Sequence, residues 1–143
     1  MTDPKVALLD TNVFIHAHAN DSHTAECAQF LAALASGTVE AHLEPIVVHE
    51  LTYALPHFVK GMTRQQIGAY VGMILSWPGV QGDKHLIADA VRRWVLTPGL
   101  GFVDAYLAVL ALRRGCAVYT KNVRHLTGQG VAVPRTLPSS PLP

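Results

Sequence analysis

The sequence predicts an α/β protein in which helices cover both faces of a central parallel sheet. Short apolar segments alternate along the chain with segments of helical periodicity, which is typical of parallel strands joined by crossover helices. Half of the 143 residues are hydrophobic and 15% are charged, so the chain has enough apolar side chains for a folded core. We therefore expect a three-layer α/β/α sandwich.

Composition restricts the class of protein further. The length suits one domain, which we place at residues 1–133, before a Pro- and Ser-rich tail at 134–143. No apolar run reaches the ~18 residues of a membrane span, and the first residues lack a secretory pattern. Cys27 and Cys116 fit reduced core thiols, so we expect a cytoplasmic protein. The net charge of +1 means that any nucleic-acid partner must be bound by a local patch.

The predicted elements follow in order from apolar periodicity and from residues that begin or end helices. Pro45 suits a first helical turn, Thr63 and Asp83 suit N-caps, and Gly37 and Gly115 suit helix ends. The predicted strands are 6–9, 38–43, a short one at Val80, 117–120 and 131–133. The predicted helices are a short one that follows a cap at Thr11 or Asn12 and runs to about Ala17, one that opens at His23 or Thr24 and ends before Gly37, 45–55, one that follows Thr63 and breaks at 77–79, 84–95 and 103–113. A turn or single helical turn is predicted at 121–126.

The first strand ends in an acid. The apolar run from Val6 to Leu9 indicates a strand buried on both faces, and Asp10 follows at its carboxyl end. In open α/β sheets, ligands bind at that edge. Alternatively, the sequence Asp10-Thr11-Asn12 only turns the chain and caps the next helix, with Thr11 or Asn12 as the cap.

Two further acids stand in apolar surroundings. On a helix, Glu50 has Ile46, Val47 and Tyr53 as neighbours, so we expect its carboxylate to point into an apolar arc, where burial without a partner is costly. Asp104 likewise lies among apolar and small residues. Each acid either has a structural partner, such as an arginine or backbone donors for Glu50 and a helix start for Asp104, or coordinates a ligand.

Polar residues also follow the strand predicted at 117–120. Thr120 and Asn122 would lie at the same sheet edge as Asp10 if the strands are parallel, although a simple turn explains them equally well. Three carboxylates brought together would repel one another unless a cation neutralised them, and hard oxygen ligands at this density suit Mg²⁺ or Mn²⁺. Such a site can activate water for displacement at phosphorus.

These segments resemble the PIN-domain family, and within it the VapC-like toxins of bacterial toxin–antitoxin pairs. The similarity is carried by four motifs in order, at residues 8–13, 48–51, 103–108 and 119–122. It implies a Rossmann-like α/β/α fold, a metal-dependent endoribonuclease, a small antitoxin that blocks the site, and often a homodimer. The chain departs from many relatives at Asn122, where they carry Asp; others carry Asn there and Asp at the position of His125.

On this interpretation, Asp10, Glu50 and Asp104 hold Mg²⁺ or Mn²⁺ and Asn122 completes the catalytic site. Thr11 and Thr120 orient ligands or phosphate. Lys121 and Arg124 bind the RNA backbone, unless they belong to a solvated turn.

Two alternative functions remain open at the level of sequence. One is a PIN-like nuclease of RNA processing that has no antitoxin. The other is a catalytically silent domain that binds RNA or protein, which the missing charge at Asn122 would suit.

Overall fold

The computed structural model describes residues 6–139, which form two compact units that meet in sequence between Ala88 and Asp89. The described strands are β1 (Ala7–Leu8), β2 (Ala41–His42) and β3 (Val80–Gln81). The described helices are α1 (Thr11–Ala19), α2 (Thr24–Ser36), α3 (Pro45–Phe58), α4 (Arg64–Ser76), α5 (Lys84–Leu96), α6 (Phe102–Arg114) and α7 (Val123–Gly128). The expectation of one domain over residues 1–133 stays a prediction.

The first unit contains a parallel sheet of three strands in the order β1-β2-β3. Ala41 at its centre is in register with Ala7 on one side and with Val80 on the other. Backbone hydrogen bonds continue the pairing past the strand ends, since the N–H of Leu9 donates to the carbonyl of His42 at 2.9 Å. The predicted α/β class and parallel sheet are therefore confirmed.

Several helices of the first unit begin or end at the residues that the sequence indicates, while α1 and α3 run two and three residues past their predicted ends. Pro45 is the first residue of α3, Thr63 forms a capping box with Gln66 at the start of α4, and Gly37 ends α2 at a φ of 81°. Asp83 accepts a hydrogen bond from the backbone N–H of Leu86 at 3.1 Å and so caps α5, as predicted.

Close backbone packing links α2 to the sheet. A Cβ atom at Gly79 would lie 2.6 Å from the carbonyl oxygen of Leu34 and would also overlap that of Val39, so only glycine fits there. The core of this unit comes from one face of each helix, with fully buried Phe14, Leu34 and Val48 among its members.

The second unit contains α6, α7 and the segments that follow them. Gly115 ends α6 at a φ of 62°, as predicted. Ala108, Ala111, Leu126 and Val131 form a small buried cluster, against which Val118 and Val133 pack. These contacts fix the position of α7 relative to α6 within the unit.

Three predictions about strands need correction. Neither 117–120 nor 131–133 is a strand. A backbone hydrogen bond from the N–H of Val118 to the carbonyl of Ala132, at 3.0 Å, joins the two segments. Two paired segments without a third strand are only marginally stable as a sheet. The first strand is not covered on both faces, because Ala7 and Leu8 are both exposed, Leu8 by 70%. Leu9, directly after β1, is buried.

Other predictions were also tested by the fold. Both cysteines are free thiols, but Cys116 is exposed and not a core residue, since the segment around it forms no strand. Residues 134–139 of the predicted tail contain no helix or strand. Within the described range, no helix has the length and apolar character that spanning a bilayer requires.

Candidate functional site

Thr11 contacts two acidic residues of the first unit, Asp10 and Glu50. Its backbone N–H donates to Oδ1 of Asp10 at 2.8 Å, and its side-chain Oγ1 donates to Oε2 of Glu50 at 2.7 Å. Thr11 is buried, so both bonds are shielded from water on one side. One threonine thus holds the carboxylates of two distant chain segments in fixed positions.

The N-cap of α1 is Asp10 and not Thr11 or Asn12, so the predicted cap is corrected by one or two residues. The reason is that Asp10 keeps an extended backbone, with φ of −105° and ψ of 152°, while Thr11 is already helical. The capping alternative therefore applies to Asp10 itself. Capping engages only Oδ1, and Asp10 is exposed, so Oδ2 can still contact a ligand.

Glu50 does not lie in a buried arc, contrary to the prediction. Its helical neighbours Ile46 and Tyr53 are 67% and 63% exposed, and Glu50 itself is exposed. The opposite face of α3, with Val48 and Leu51, carries the buried contacts. The helix has apolar residues on both faces, so sequence spacing alone did not show which face is buried. The Thr11 hydroxyl, not an arginine or a backbone donor, is the hydrogen-bond partner found for Glu50.

In the second unit, Asp104 and Asn122 form a pair. Asp104 lies partly buried in the first turn of α6, where the helix dipole favours a negative charge, and the amide Nδ2 of Asn122 donates to its Oδ2 at 2.7 Å. The backbone N–H of Asn122 in turn donates to Oγ1 of Thr120 at 2.9 Å. Thr120 therefore holds Asn122, which holds Asp104.

Lys121 and Arg124 are exposed on either side of the start of α7. Asn122 lies between them in the chain, so two cations flank the residue that contacts Asp104. This arrangement can attract an anion such as a phosphate to the second unit.

Two groups of residues offer oxygen atoms to a ligand. They are Asp10, Thr11 and Glu50 in the first unit and Asp104, Thr120 and Asn122 in the second, and their oxygens belong to carboxylates, hydroxyls and one side-chain amide. This donor set suits hard divalent cations such as Mg²⁺ and Mn²⁺ and does not suit soft metals. Within the described part of either unit, no three His, Cys, Asp or Glu side chains are grouped as metal ligands. Each unit by itself supplies a part of the ligand set that the sequence predicts.

The profile of the PIN domain family matches residues 7–126 of the 143, a range that includes Asp10, Glu50 and Asp104. No curated protein sequence matches the chain significantly. The match extends over most of the chain and agrees with the α/β fold and its parallel sheet. The chain therefore belongs to the PIN domain family, whose members are typically nucleases.

Proposed function

We propose that this protein is a metal-dependent endoribonuclease and the toxin of a toxin–antitoxin pair. The observation that carries the nuclease proposal is the family match together with three acids, Asp10, Glu50 and Asp104, each of which accepts a hydrogen bond from a neutral donor.

Asp10, Glu50 and Asp104 are the proposed metal ligands, with Asn122 as the fourth residue of the site. Their assignment to one ion rests on the family match and on the order of the motifs in the sequence. A divalent ion held by these residues would activate water and stabilise the negative charge that develops on the phosphoryl and leaving-group oxygens during hydrolysis. The donor set of hard oxygens fits Mg²⁺ or Mn²⁺.

The chain's own residues would perform the remaining tasks. Thr11 keeps the Glu50 carboxylate in one orientation, which lowers the cost of arranging it for reaction. One of the carboxylates would accept the proton of the attacking water. Lys121 and Arg124 would bind the phosphates of a single-stranded RNA, and Thr120 would hold Asn122 in position.

RNA cleavage by the purified protein tests the proposal directly. We expect cleavage with Mg²⁺ or Mn²⁺ that is abolished by EDTA and by Asp10→Ala. Glu40→Ala is the matched control, because Glu40 is an exposed acid of the same unit outside the proposed site. If the wild type cleaves no RNA under any of these metals, or if Asp10→Ala is as active as Glu40→Ala, the proposal is wrong.

The toxin role rests on the similarity of the four motifs to VapC-like toxins, which also implies an antitoxin and a homodimer. Induced expression in a bacterial host should arrest growth with the wild type and not with Asp10→Ala. Co-expression of a small protein encoded immediately upstream should restore growth. Metal-dependent RNA cleavage without growth arrest would favour an RNA-processing nuclease. RNA binding without cleavage or metal binding would favour a silent domain.

A further inference from the structure

A small pocket in the first unit lies beside the start of α1. Its volume is about 210 Å³, which is less than the ~300–1,000 Å³ of pockets that enclose drug-sized ligands. A single ring system fits a space of this size. The lining side chains come from α1 and from the beginning of α2: Asn12, Val13, His16, His23, Glu26 and Cys27.

Hydrogen bonds fix one wall of the pocket before any ligand binds. Nδ1 of His16 lies 2.6 Å from Oδ2 of Asp21, and Oδ1 of Asp21 accepts from the backbone N–H of His23 at 2.8 Å. The hydrogen bond from His16 holds the pKa of the Asp21 carboxyl below its usual range. Because Asp21 engages Nδ1, the His16 ring keeps one orientation, and Nε2 is the ring nitrogen left to form a hydrogen bond with a ligand.

Two imidazole rings meet at an angle in this pocket. The rings of His16 and His23 have centroids 4.9 Å apart and an interplanar angle of 71°. A flat ring stacked on one imidazole would meet the edge of the other, which is a favourable aromatic geometry. Histidine is among the side chains on which RNA-binding proteins stack unpaired bases.

The pocket suits an organic ring better than a metal ion. His16, His23, Glu26 and Cys27 all carry atoms that can bind metals, but no three of the His, Cys, Asp and Glu side chains described in this unit are grouped for one ion. Glu26 and Asn12 are exposed at the rim of the pocket, where they can form hydrogen bonds with the edge of a base.

We infer that this pocket binds one nucleobase of the RNA, next to the cleaved phosphodiester, and that Glu26 selects bases that carry an amino group. The inference rests on the proposed nuclease function. Asn12 follows Asp10 by two residues, so their Cα atoms are at most ~7 Å apart and one nucleotide can span that distance. The Glu26 carboxylate accepts hydrogen bonds from the amino groups of cytosine, guanine and adenine. The two carbonyl oxygens that flank the N–H of uracil repel it.

The cleavage profile on a randomised RNA library tests the selectivity. We expect the wild type to disfavour uridine at one position beside the cut, and Glu26→Gln to reduce this preference about three- to tenfold, since a neutral amide accepts and donates alike. Glu40→Gln, a matched change outside the pocket, should leave the profile unchanged. An identical profile for wild type and Glu26→Gln would overturn the inference.

Binding of uncleavable nucleosides tests the pocket without any catalysis. Cytidine and uridine are titrated separately into the metal-free protein, and the imidazole proton signals of His16 and His23 are followed by NMR. We expect cytidine to shift both signals with a dissociation constant on the order of a millimolar, more tightly than uridine, with the difference lost in Glu26→Gln. If neither nucleoside moves these signals, the pocket is not a base site.

The two experiments separate this inference from the proposed function. If the wild type cleaves no RNA but cytidine shifts the His16 and His23 signals, the pocket is retained and the nuclease proposal fails. If the wild type cleaves RNA and neither nucleoside binds, the nuclease proposal is retained and the base pocket fails.

Discussion

Replacing Asn122 by Asp should weaken the metal-free protein and strengthen its binding of Mn²⁺. In the structure, Nδ2 of Asn122 donates to Oδ2 of Asp104 at 2.7 Å. An aspartate at this position would remove the donor and bring a second carboxylate against Asp104. The side chains of Asn and Asp have nearly the same shape, so the change acts through charge and hydrogen bonding and not through packing.

The expected loss follows from Coulomb's law. Two unit charges at the observed 2.7 Å repel by about 1.5 kcal/mol at the dielectric constant of water and by about 6 kcal/mol at an effective value of ~20. Asn122 is exposed, so the lower figure applies. A hydrogen bond to a charged group adds about 1.5 kcal/mol. The free energy of unfolding should fall by about 3 kcal/mol without metal, and less at high salt.

A divalent cation reverses the sign of the effect. It neutralises the repulsion, and its two charges are attracted to the added carboxylate. We expect the affinity for Mn²⁺ to rise at least tenfold, which corresponds to about 1.4 kcal/mol. RNA cleavage should then appear at a lower Mn²⁺ concentration than in the wild type.

Urea unfolding with and without Mn²⁺, together with calorimetric Mn²⁺ titration, measures both changes. Asn122→Ala is the matched control, because it removes the hydrogen bond to Asp104 without adding charge. It should lose about 1.5 kcal/mol of stability, gain no affinity for Mn²⁺, and retain more activity than Asp10→Ala, since it removes a dipole and not a charge.

Two results would refute this reasoning. If Asn122→Asp is as stable as the wild type and binds Mn²⁺ no more tightly, Asn122 does not lie beside Asp104 and the ion. If Asn122→Ala is as inactive as Asp10→Ala while metal binding persists, Asn122 contacts the substrate and is not a peripheral metal residue.

Three further predictions follow from other residues. Asp104→Asn keeps an acceptor for Asn122, so the free energy of unfolding without metal should change by less than about 1 kcal/mol, while the stabilisation by Mn²⁺ should disappear. A larger loss of stability would identify Asp104 as a structural cap. Lys121→Ala and Arg124→Ala should each flatten the salt dependence of RNA binding by about one phosphate contact, and unchanged slopes would place the RNA elsewhere. Burial raises the pKa of Tyr70 from 10.0 to about 12, so its stabilising contribution is present below pH 10 and is lost as the pH rises towards 12. Tyr70→Phe should remove the part of the loss of stability between pH 10 and 12 that this group causes, which urea unfolding measures. It should also remove the corresponding step in tyrosinate absorbance.

Local sequence signals predicted the boundaries of most helices. Pro45, Thr63 and Gly37 mark helix ends in the structure as they do in the sequence, because a proline ring, a capping hydroxyl and a left-handed glycine act through their immediate neighbours. The strands were predicted less well. An apolar tripeptide such as Val131 to Val133 packs equally well in a strand or in an irregular segment against the cluster around Leu126.

Within the candidate site, the sequence proposed the residues but could not show their contacts. Glu50 and Asp104 stood out because an acid among apolar neighbours is unusual, and Asp10 stood out because it follows an apolar strand. Thr11 donates to Glu50 from 39 residues away in the chain, and Asn122 donates to Asp104 from 18 residues away. These contacts, and the exposure of Glu50, depend on how distant segments pack. The sequence also did not predict the contact between His16 and Asp21. The spacing of Asn12 and His16 by one helical turn was a weak indication that these two residues share a helix face.

The sequence by itself determined the α/β class, the order of most helices and the four motifs of the PIN domain family, because periodicity, caps and motif order are local properties of the chain. Only the tertiary structure decided which hydrogen bonds the acidic residues form and which face of α3 is buried. A hydrogen bond such as the one from Thr11 to Glu50 exists only after two distant segments have packed, and the energy that selects it comes from that packing and not from either segment alone.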